Sequence, residues 1–198
     1  MNVAPTNKAE KAGWRIVFQD EFDGKKLDTD KWQPQETTHG DESQHYKNDE
    51  KNIFLTNGFL HLRALREPFK NYAFTSGEIF SKVEFGQGTL CEVRCKIPKG
   101  KGLWPAFWFW RGLYGDTSYQ EIDVFEFWCA DTRRFSVSNH YFNVKKKKMN
   151  NDYKWIKPEN AEGMRLDMSE NFHTYTVYWD EKGIKVLFDN VLAVHLKK

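Results

Sequence analysis

The chain has 198 residues, which is enough for one domain and too few for two. Its 30 Lys and Arg residues nearly balance its 28 Asp and Glu residues, and a formal net charge of +2 argues against a general nucleic-acid binder. Aromatic residues make up 16% of a chain whose mean hydropathy, −0.77, is plainly hydrophilic. So many rings need either a core or a ligand to cover them.

The chain shows no segment typical of membrane insertion or targeting. Its longest uncharged, strongly apolar stretch, residues 103–110, is far shorter than the ~20 residues that cross a bilayer. Residues 1–13 form a polar N-terminal tail without the apolar core of a secretory signal. We therefore predict no membrane insertion, and we expect any secretory signal to have been removed already.

Alternation of apolar and polar residues, the pattern of half-buried strands, recurs along the whole chain. In the first half it predicts a strand at residues 14–19 and another at residues 60–64. The Asn57-Gly58 pair before the second of these favours a two-residue hairpin turn. A further hairpin is predicted from residues 79–85 and residues 91–97.

The second half of the chain continues the β pattern. Residues 150–171 are weakly periodic and predict a long loop, and residues 175–188 predict a meander. No repeat or linker marks a boundary. The sequence therefore predicts one all-β domain, a sandwich of two antiparallel sheets over residues 1–198.

Three cysteines, Cys91, Cys95 and Cys129, lack the spacing of a zinc or redox site. On one strand Cys91 and Cys95 would lie about 13 Å apart, beyond the reach of a disulfide. We expect free thiols, and we predict neither a metal nor a cofactor.

The segment E-I-D-V-F-E at residues 121–126 places three acids within a run of strand-forming residues. Under strict alternation Glu121 and Asp123 share one face of the strand, while Glu126 points to the other. One extra residue, a β-bulge at Val124-Phe125, would return Glu126 to the acidic face. The pattern therefore predicts an irregular strand.

Two glutamates on one face of a strand suit cleavage of a glycosidic bond. With the bulge, the Cα atoms of Glu121 and Glu126 would lie roughly 13 Å apart, and the carboxyl groups could approach to about 5–5.5 Å. At that spacing one carboxylate attacks the anomeric carbon while the other group protonates the leaving oxygen, with retention of configuration. Asp123 would raise the pKa of its neighbours by like-charge repulsion.

The alternative is that the three acids line the solvent face of an ordinary strand. Two features favour function: acids are depleted in strands, and no Lys or Arg occurs between Gln120 and Asp131 to relieve the repulsion.

The acidic segment resembles the bulged E-x-D-x-x-E signature of glycoside hydrolase family 16. Further segments resemble family blocks in the same order, so the resemblance covers nearly the whole chain from Trp14. These segments are residues 14–24, 27–28, 31–32, 74–77, 79, 81–82, 88, 92–94, 96–98, 103–108 and 172–175.

The resemblance implies a concanavalin A-like jelly-roll sandwich and endo-acting, retaining hydrolysis of β-linked glycans. It implies that Glu121 is the nucleophile, Asp123 the assisting aspartate and Glu126 the general acid/base. The W-P-A-F-W segment at residues 104–108 favours the laminarinase-like branch, which acts on β-1,3- or mixed-linked glucans.

Aromatic residues near the acids predict a sugar-binding surface, because pyranose rings stack on flat aromatic faces. Alternation places Trp104, Trp108 and Trp110 on one face of a strand, and for Trp110 a position in the core is an equal alternative. Trp128 should share the acidic face. His140 resembles a histidine that lies near the acid/base in this branch of the family. We predict that Trp104, Trp108, Trp128 and His140 bind substrate.

Family members usually continue past the region that corresponds to residues 191–194 with further strands, whereas this chain ends at Lys198. We therefore expect that the last C-terminal strands are absent and that the domain is truncated. The aspartate that often holds a structural calcium in the family is also absent, so calcium is not carried over.

Two other functions are compatible with the sequence. An agarase- or carrageenase-like enzyme would cleave an algal galactan, and a non-catalytic carbohydrate-binding protein could use the same fold. The sequence does not choose the polysaccharide, its linkage or the oligomeric state. A polymeric substrate predicts an extracellular or periplasmic location.

Overall fold

A computed structural model describes residues 13–40 and 42–197, so most of the polar N-terminal tail lies outside the described residues. The described part contains fourteen strands and is all-β, as predicted. Their bounds are β1 Trp32–Pro34, β2 Gln44–Tyr46, β3 Ile53–Thr56, β4 Phe59–Leu62, β5 Phe74–Ser76, β6 Ile79–Ser81, β7 Leu90–Cys95, β8 Ala106–Arg111, β9 Gln120–Glu126, β10 Phe135–Asn143, β11 Lys148–Ile156, β12 His173–Asp180, β13 Gly183–Phe188 and β14 Val191–Lys197. Within residues 13–40 and 42–197, no helix is long and apolar enough to cross a membrane.

The described residues fall into two compact units, one up to Glu84 and one from Phe85 onward. The first unit holds three two-stranded sheets, β1–β6, β2–β5 and β3–β4. Asn57 and Gly58 join β3 to β4 with φ angles of 54° and 75°, the left-handed conformation that a tight hairpin turn requires. The hairpin at Asn57-Gly58 is therefore confirmed, while the single domain stays a prediction.

The second unit contains two four-stranded antiparallel sheets. The acidic sheet has the strand order β11-β10-β9-β8, and the backing sheet has the order β14-β13-β12-β7. Apolar residues from both sheets form one buried core, which includes Val124, Phe125 and Val137 from the acidic sheet and Tyr175 and Val186 from the backing sheet. Burying one face of each sheet leaves the outer face of the acidic sheet free to carry polar groups.

Two predicted strand arrangements in the first half of the chain are wrong. Residues 14–19 form no strand, and Val17 is 59% exposed. The predicted hairpin of residues 79–85 with 91–97 is not formed, because β6 pairs with β1 and β7 pairs with β12. Alternation identifies the residues that share a face, but it does not specify the neighbouring strand that supplies the hydrogen bonds.

The predicted loop at residues 150–171 is also wrong in its first part, where β11 runs to Ile156. This strand lies at the edge of the acidic sheet, and several of its successive residues are exposed. An edge strand with polar residues on both faces lacks the alternation on which the sequence prediction depended. All three cysteines are free, as predicted.

A buried carboxylate anchors the irregular segment that follows β11. Asp167 accepts hydrogen bonds from the Thr132 hydroxyl at 2.6 Å, the Ser169 hydroxyl at 2.6 Å and the Lys99 ammonium at 2.8 Å. Burial would raise the pKa of Asp167, but these donors outweigh burial and hold the pKa well below its ordinary value. The carboxylate therefore ties this segment to the residues between β9 and β10.

We expect Asp167→Asn to lower the free energy of unfolding by about 2–3 kcal/mol at neutral pH, because a charged acceptor with three side-chain donors is lost. Because the pKa of Asp167 is lower in the native protein, the carboxylate contributes its full stabilisation above the unfolded pKa of about 4. This stabilisation is lost as the pH falls from about 4 through the native pKa. Denaturant unfolding at pH 7 and pH 3 measures both effects. A difference between wild type and variant that does not shrink at pH 3 would contradict this explanation, and the exposed turn variant Glu181→Gln serves as the control.

Candidate active site

Strand β9 carries the predicted bulge. Trp108 on β8 pairs with Asp123, and the preceding residue of β8, Phe107, pairs with Phe125, so Val124 is skipped. The register with β10 shifts at the same place, between Ser136 and Ser138. Val124 and Phe125 are both buried in the core cluster. The bulge is therefore confirmed, and it turns both apolar residues inward.

The bulge brings all three acids to the outer face of the acidic sheet. Directly paired residues of antiparallel strands point to the same side, so the register lists the residues that surround each acid. From β8 to β11 the three rows are Trp110, Glu121, His140, Asn151; Trp108, Asp123, Ser138, Tyr153; and Ala106, Glu126, Ser136, Trp155.

Glu126 is a half-buried carboxyl group with three side-chain donors. Trp104 Nε1 donates to Oε1 at 3.1 Å, and the hydroxyls of Ser136 and Ser138 each lie 3.3 Å from Oε2. Burial raises the pKa of Glu126, and the three donors oppose this only in part. Glu126 therefore keeps its proton to higher pH than an ordinary glutamate, as a proton donor near neutral pH must.

Asp123 is the most buried of the three acids, at 3% exposed. Burial raises the pKa of Asp123, His140 lowers it, and the charges of Glu126 and Glu121 raise it further. Nε2 of His140 lies 3.3 Å from Oδ2 of Asp123, and this contact raises the pKa of the imidazole. The protonation states of Asp123 and His140 are therefore coupled, so that a proton gained or lost by one group changes the pKa of the other.

Glu121 lies at the other end of the acidic row and accepts a hydrogen bond from the hydroxyl of Tyr119. The two residues, with Tyr114, His140 and Met149, line a cavity of about 530 Å³ whose wall is completed by Asn150 and Asn151. Cavities of this size hold small ligands. One carboxylate thus opens directly onto a space that a sugar residue could fill.

Indole rings extend along the surface from Glu126. The rings of Trp104 and Trp128 stack with their centroids 5.9 Å apart and an interplanar angle of 20°. The centroid of the Trp155 ring lies 5.2 Å from that of Trp128. Trp104 and Trp128 are each about half exposed. Trp110 is 49% exposed and lies opposite Glu121, which excludes the core alternative for this residue. These rings provide flat apolar surface beside the acids.

The spacing of the acids would also admit a cation. One ligand atom each from Glu121, Asp123 and His140 lie within 4.8 Å of one another. Nε2 of His140 already lies 3.3 Å from Oδ2 of Asp123, an ion-pair distance that requires no cation. The prediction that no metal is needed stays a prediction.

The structure brings together every residue that the sequence singled out: Glu121, Asp123, Glu126, Trp104, Trp108, Trp128 and His140. His140 faces Asp123, and a contact between His140 and substrate stays a prediction.

Sequence reasoning missed Tyr119 and Trp155. Tyr119 lies two residues before Glu121 and so on its face, a signal that was available, whereas Trp155 lay in a segment predicted to be a loop.

The sequence is similar to those of known proteins. The family model described as "Glycosyl hydrolases family 16" matches residues 20–198. The chain is 29% identical to a glucan endo-1,3-beta-glucosidase A1 from Niallia circulans, over 93% of this chain and 30% of that protein. The chain thus spans less than a third of the length of this relative.

Solved structures show the same fold. LamAcat from Zobellia galactanivorans has a TM-score of 0.80 and 29% identity, covering 95% of this chain and 82% of that one. LamA from the same organism, solved in complex with laminaritriose and laminaritetraose, has a TM-score of 0.78 and 28% identity, covering 92% and 80%. The predicted jelly-roll sandwich is therefore confirmed.

Proposed function

The chain belongs to glycosyl hydrolase family 16, and from this membership we propose that it is an endo-acting, retaining hydrolase of β-1,3- or mixed-linked glucans. The observation that carries the proposal is the bulge in β9, which places Glu126 on the same face as Glu121 and Asp123. A regular strand would bury Glu126 in the core.

In the first displacement a carboxylate oxygen of Glu121 bonds to the anomeric carbon as the glycosidic C–O bond breaks. Glu126 transfers its proton to the departing oxygen, and its raised pKa supports this role. The products are a glycosyl ester of Glu121 and a shortened chain with a free hydroxyl.

In the second displacement a water oxygen attacks the anomeric carbon, and Glu126, now a carboxylate, takes the proton of the water. The ester bond to Glu121 breaks, and Glu121 leaves as a carboxylate. Two inversions give retention. Asp123 and His140 form a pair beside Glu126, and the charge of His140 lowers the pKa of Glu126 in opposition to burial.

The substrate class rests on the row of indoles and on the names of similar proteins. Exposed tryptophans suit the apolar faces of sugar rings. The relative from Niallia circulans is named a glucan endo-1,3-beta-glucosidase, and a similar structure was solved with laminaritriose and laminaritetraose. A polymer of this size is degraded outside the cytoplasm, so we also propose an extracellular or periplasmic location.

Incubation with laminarin, mixed-linked β-glucan, agarose and carrageenan, with measurement of reducing ends, tests the proposal. We expect cleavage of the two glucans, a rapid fall in viscosity and a fresh product in the β configuration by proton NMR. An α product would exclude double displacement, cleavage of only a galactan would correct the substrate, and glycan binding without cleavage would indicate a binding protein.

Trp128→Ala should raise KM for laminarin about tenfold, because the apolar surface that a sugar ring covers is lost. We expect a smaller change in kcat, because Glu126 keeps its contacts with Trp104 and the two serines. Trp128→Phe keeps a flat ring and is the matched control. An unchanged KM in the alanine variant would remove Trp128 from the sugar-binding surface.

A further inference from the structure

Tyr119 is a buried tyrosine whose hydroxyl is directed at the proposed nucleophile. Its side chain is 7% exposed, and the phenol donates a hydrogen bond to Oε2 of Glu121. A buried phenol needs a hydrogen-bond acceptor, and here the acceptor is the carboxylate that is proposed to attack the sugar. The contact joins the wall of the cavity to the reacting group.

The fold fixes the position of Tyr119 from several sides. The amide of Tyr119 donates to the carbonyl of Asp116 at 3.0 Å, and its carbonyl accepts from the amide of Phe142 at 3.3 Å. Gly112 adopts a φ of +77°, and a Cβ there would lie 3.2 Å from the Cα of Tyr119. The Tyr119 ring meets the edge of Tyr114 at 5.4 Å. These backbone and ring contacts therefore fix the position of the Tyr119 hydroxyl.

The phenol remains a donor throughout the reaction. Burial raises the pKa of Tyr119, and the hydrogen bond to Glu121 raises it further, so the hydroxyl keeps its proton. A hydrogen bond from a neutral donor is stronger to a carboxylate than to an ester oxygen. The contact therefore favours the free form of Glu121 over the glycosyl ester.

We propose that Tyr119 is a positioning residue that orients Glu121 and stabilises it as the leaving carboxylate of the second displacement. This inference rests on the proposed function. In that step water bonds to the anomeric carbon, Glu126 takes the water proton, and the electron pair of the breaking ester bond returns to Glu121. The Tyr119 hydrogen bond strengthens as that charge develops, whereas in the first displacement it weakens as the charge is lost.

The test is Tyr119→Phe with an aryl β-glycoside of laminaribiose whose phenol is a good leaving group. With such a substrate the second displacement limits kcat, while kcat/KM reports the first. We expect kcat to fall about 10- to 100-fold and kcat/KM to change less than about threefold, with a burst of phenol near one per protein. The ring and its contact with Tyr114 are kept in this variant, and thermal unfolding checks the fold.

Tyr178→Phe, on a residue of β12 in the backing sheet, is the matched control and should keep the wild-type kcat, kcat/KM and burst. Equal falls in kcat and kcat/KM, or an unchanged kcat, would overturn the positioning role while leaving the proposed function intact. A wild-type protein that releases no phenol and does not cleave laminarin would overturn the proposed function, and this inference with it.

Discussion

Glu121→Ala is expected to reduce kcat on laminarin about 10⁴-fold or more, because the first displacement loses its nucleophile. Removal of this side chain also leaves space beside the cavity lined by Tyr119 and His140. Azide should enter that space and attack the anomeric carbon of an activated aryl β-glycoside directly. A single displacement inverts configuration, so we expect an α-glycosyl azide, identified by NMR.

Glu121→Gln is the matched variant for binding. It keeps the shape of the side chain and a carbonyl acceptor for the Tyr119 hydroxyl, so it should bind laminari-oligosaccharides without cleaving them. A Glu121→Ala protein that retains more than about a tenth of wild-type activity, or that forms a β-glycosyl azide, would transfer the role of nucleophile to another residue.

Glu126→Ala should reduce kcat/KM on laminarin about 10³-fold, because the leaving sugar oxygen is no longer protonated. The first displacement of an aryl glycoside with a good leaving group should be nearly unaffected, since that phenol departs without a proton. The second displacement loses its general base, and added azide should restore the rate of this step because azide needs no base to attack. Attack by azide on the ester of Glu121 gives a β-glycosyl azide, the opposite anomer from the Glu121→Ala reaction.

The pH profile gives a second measure of Glu126. The group must be protonated in the first displacement, so kcat/KM falls as pH rises through its pKa. Burial raises that pKa, and the alkaline limb should therefore lie above the ordinary glutamate value of about 4.3. The limb should disappear in Glu126→Ala with the activated aryl substrate. A limb that persists unchanged would assign the alkaline pKa to another group, such as His140 or Asp123.

The site was predictable from the sequence because its chemistry is concentrated in one strand. The spacing of Glu121, Asp123 and Glu126 conflicts with the two-residue period of a regular strand, and a bulge is the smallest change that removes the conflict. The tryptophans of residues 104–110 were placed correctly for the same reason, since alternation fixes the face on which each side chain lies.

The partners of each acid were harder to predict. Ser136 and Ser138 reach Glu126, and His140 reaches Asp123, only because β10 pairs with β9 in one particular register. The sequences of the two strands do not specify that register. Trp155 was missed because β11 is an exposed edge strand with no clear alternation.

The sequence by itself determined the all-β class, the bulge and the face on which the three acids lie, because side-chain direction in a strand follows from position along the chain. Only the tertiary structure decided which strands are neighbours, which donors reach each carboxyl group and how far burial raises the pKa values of Asp123 and Glu126. Those properties depend on contacts between residues far apart in sequence, and local periodicity does not encode such contacts.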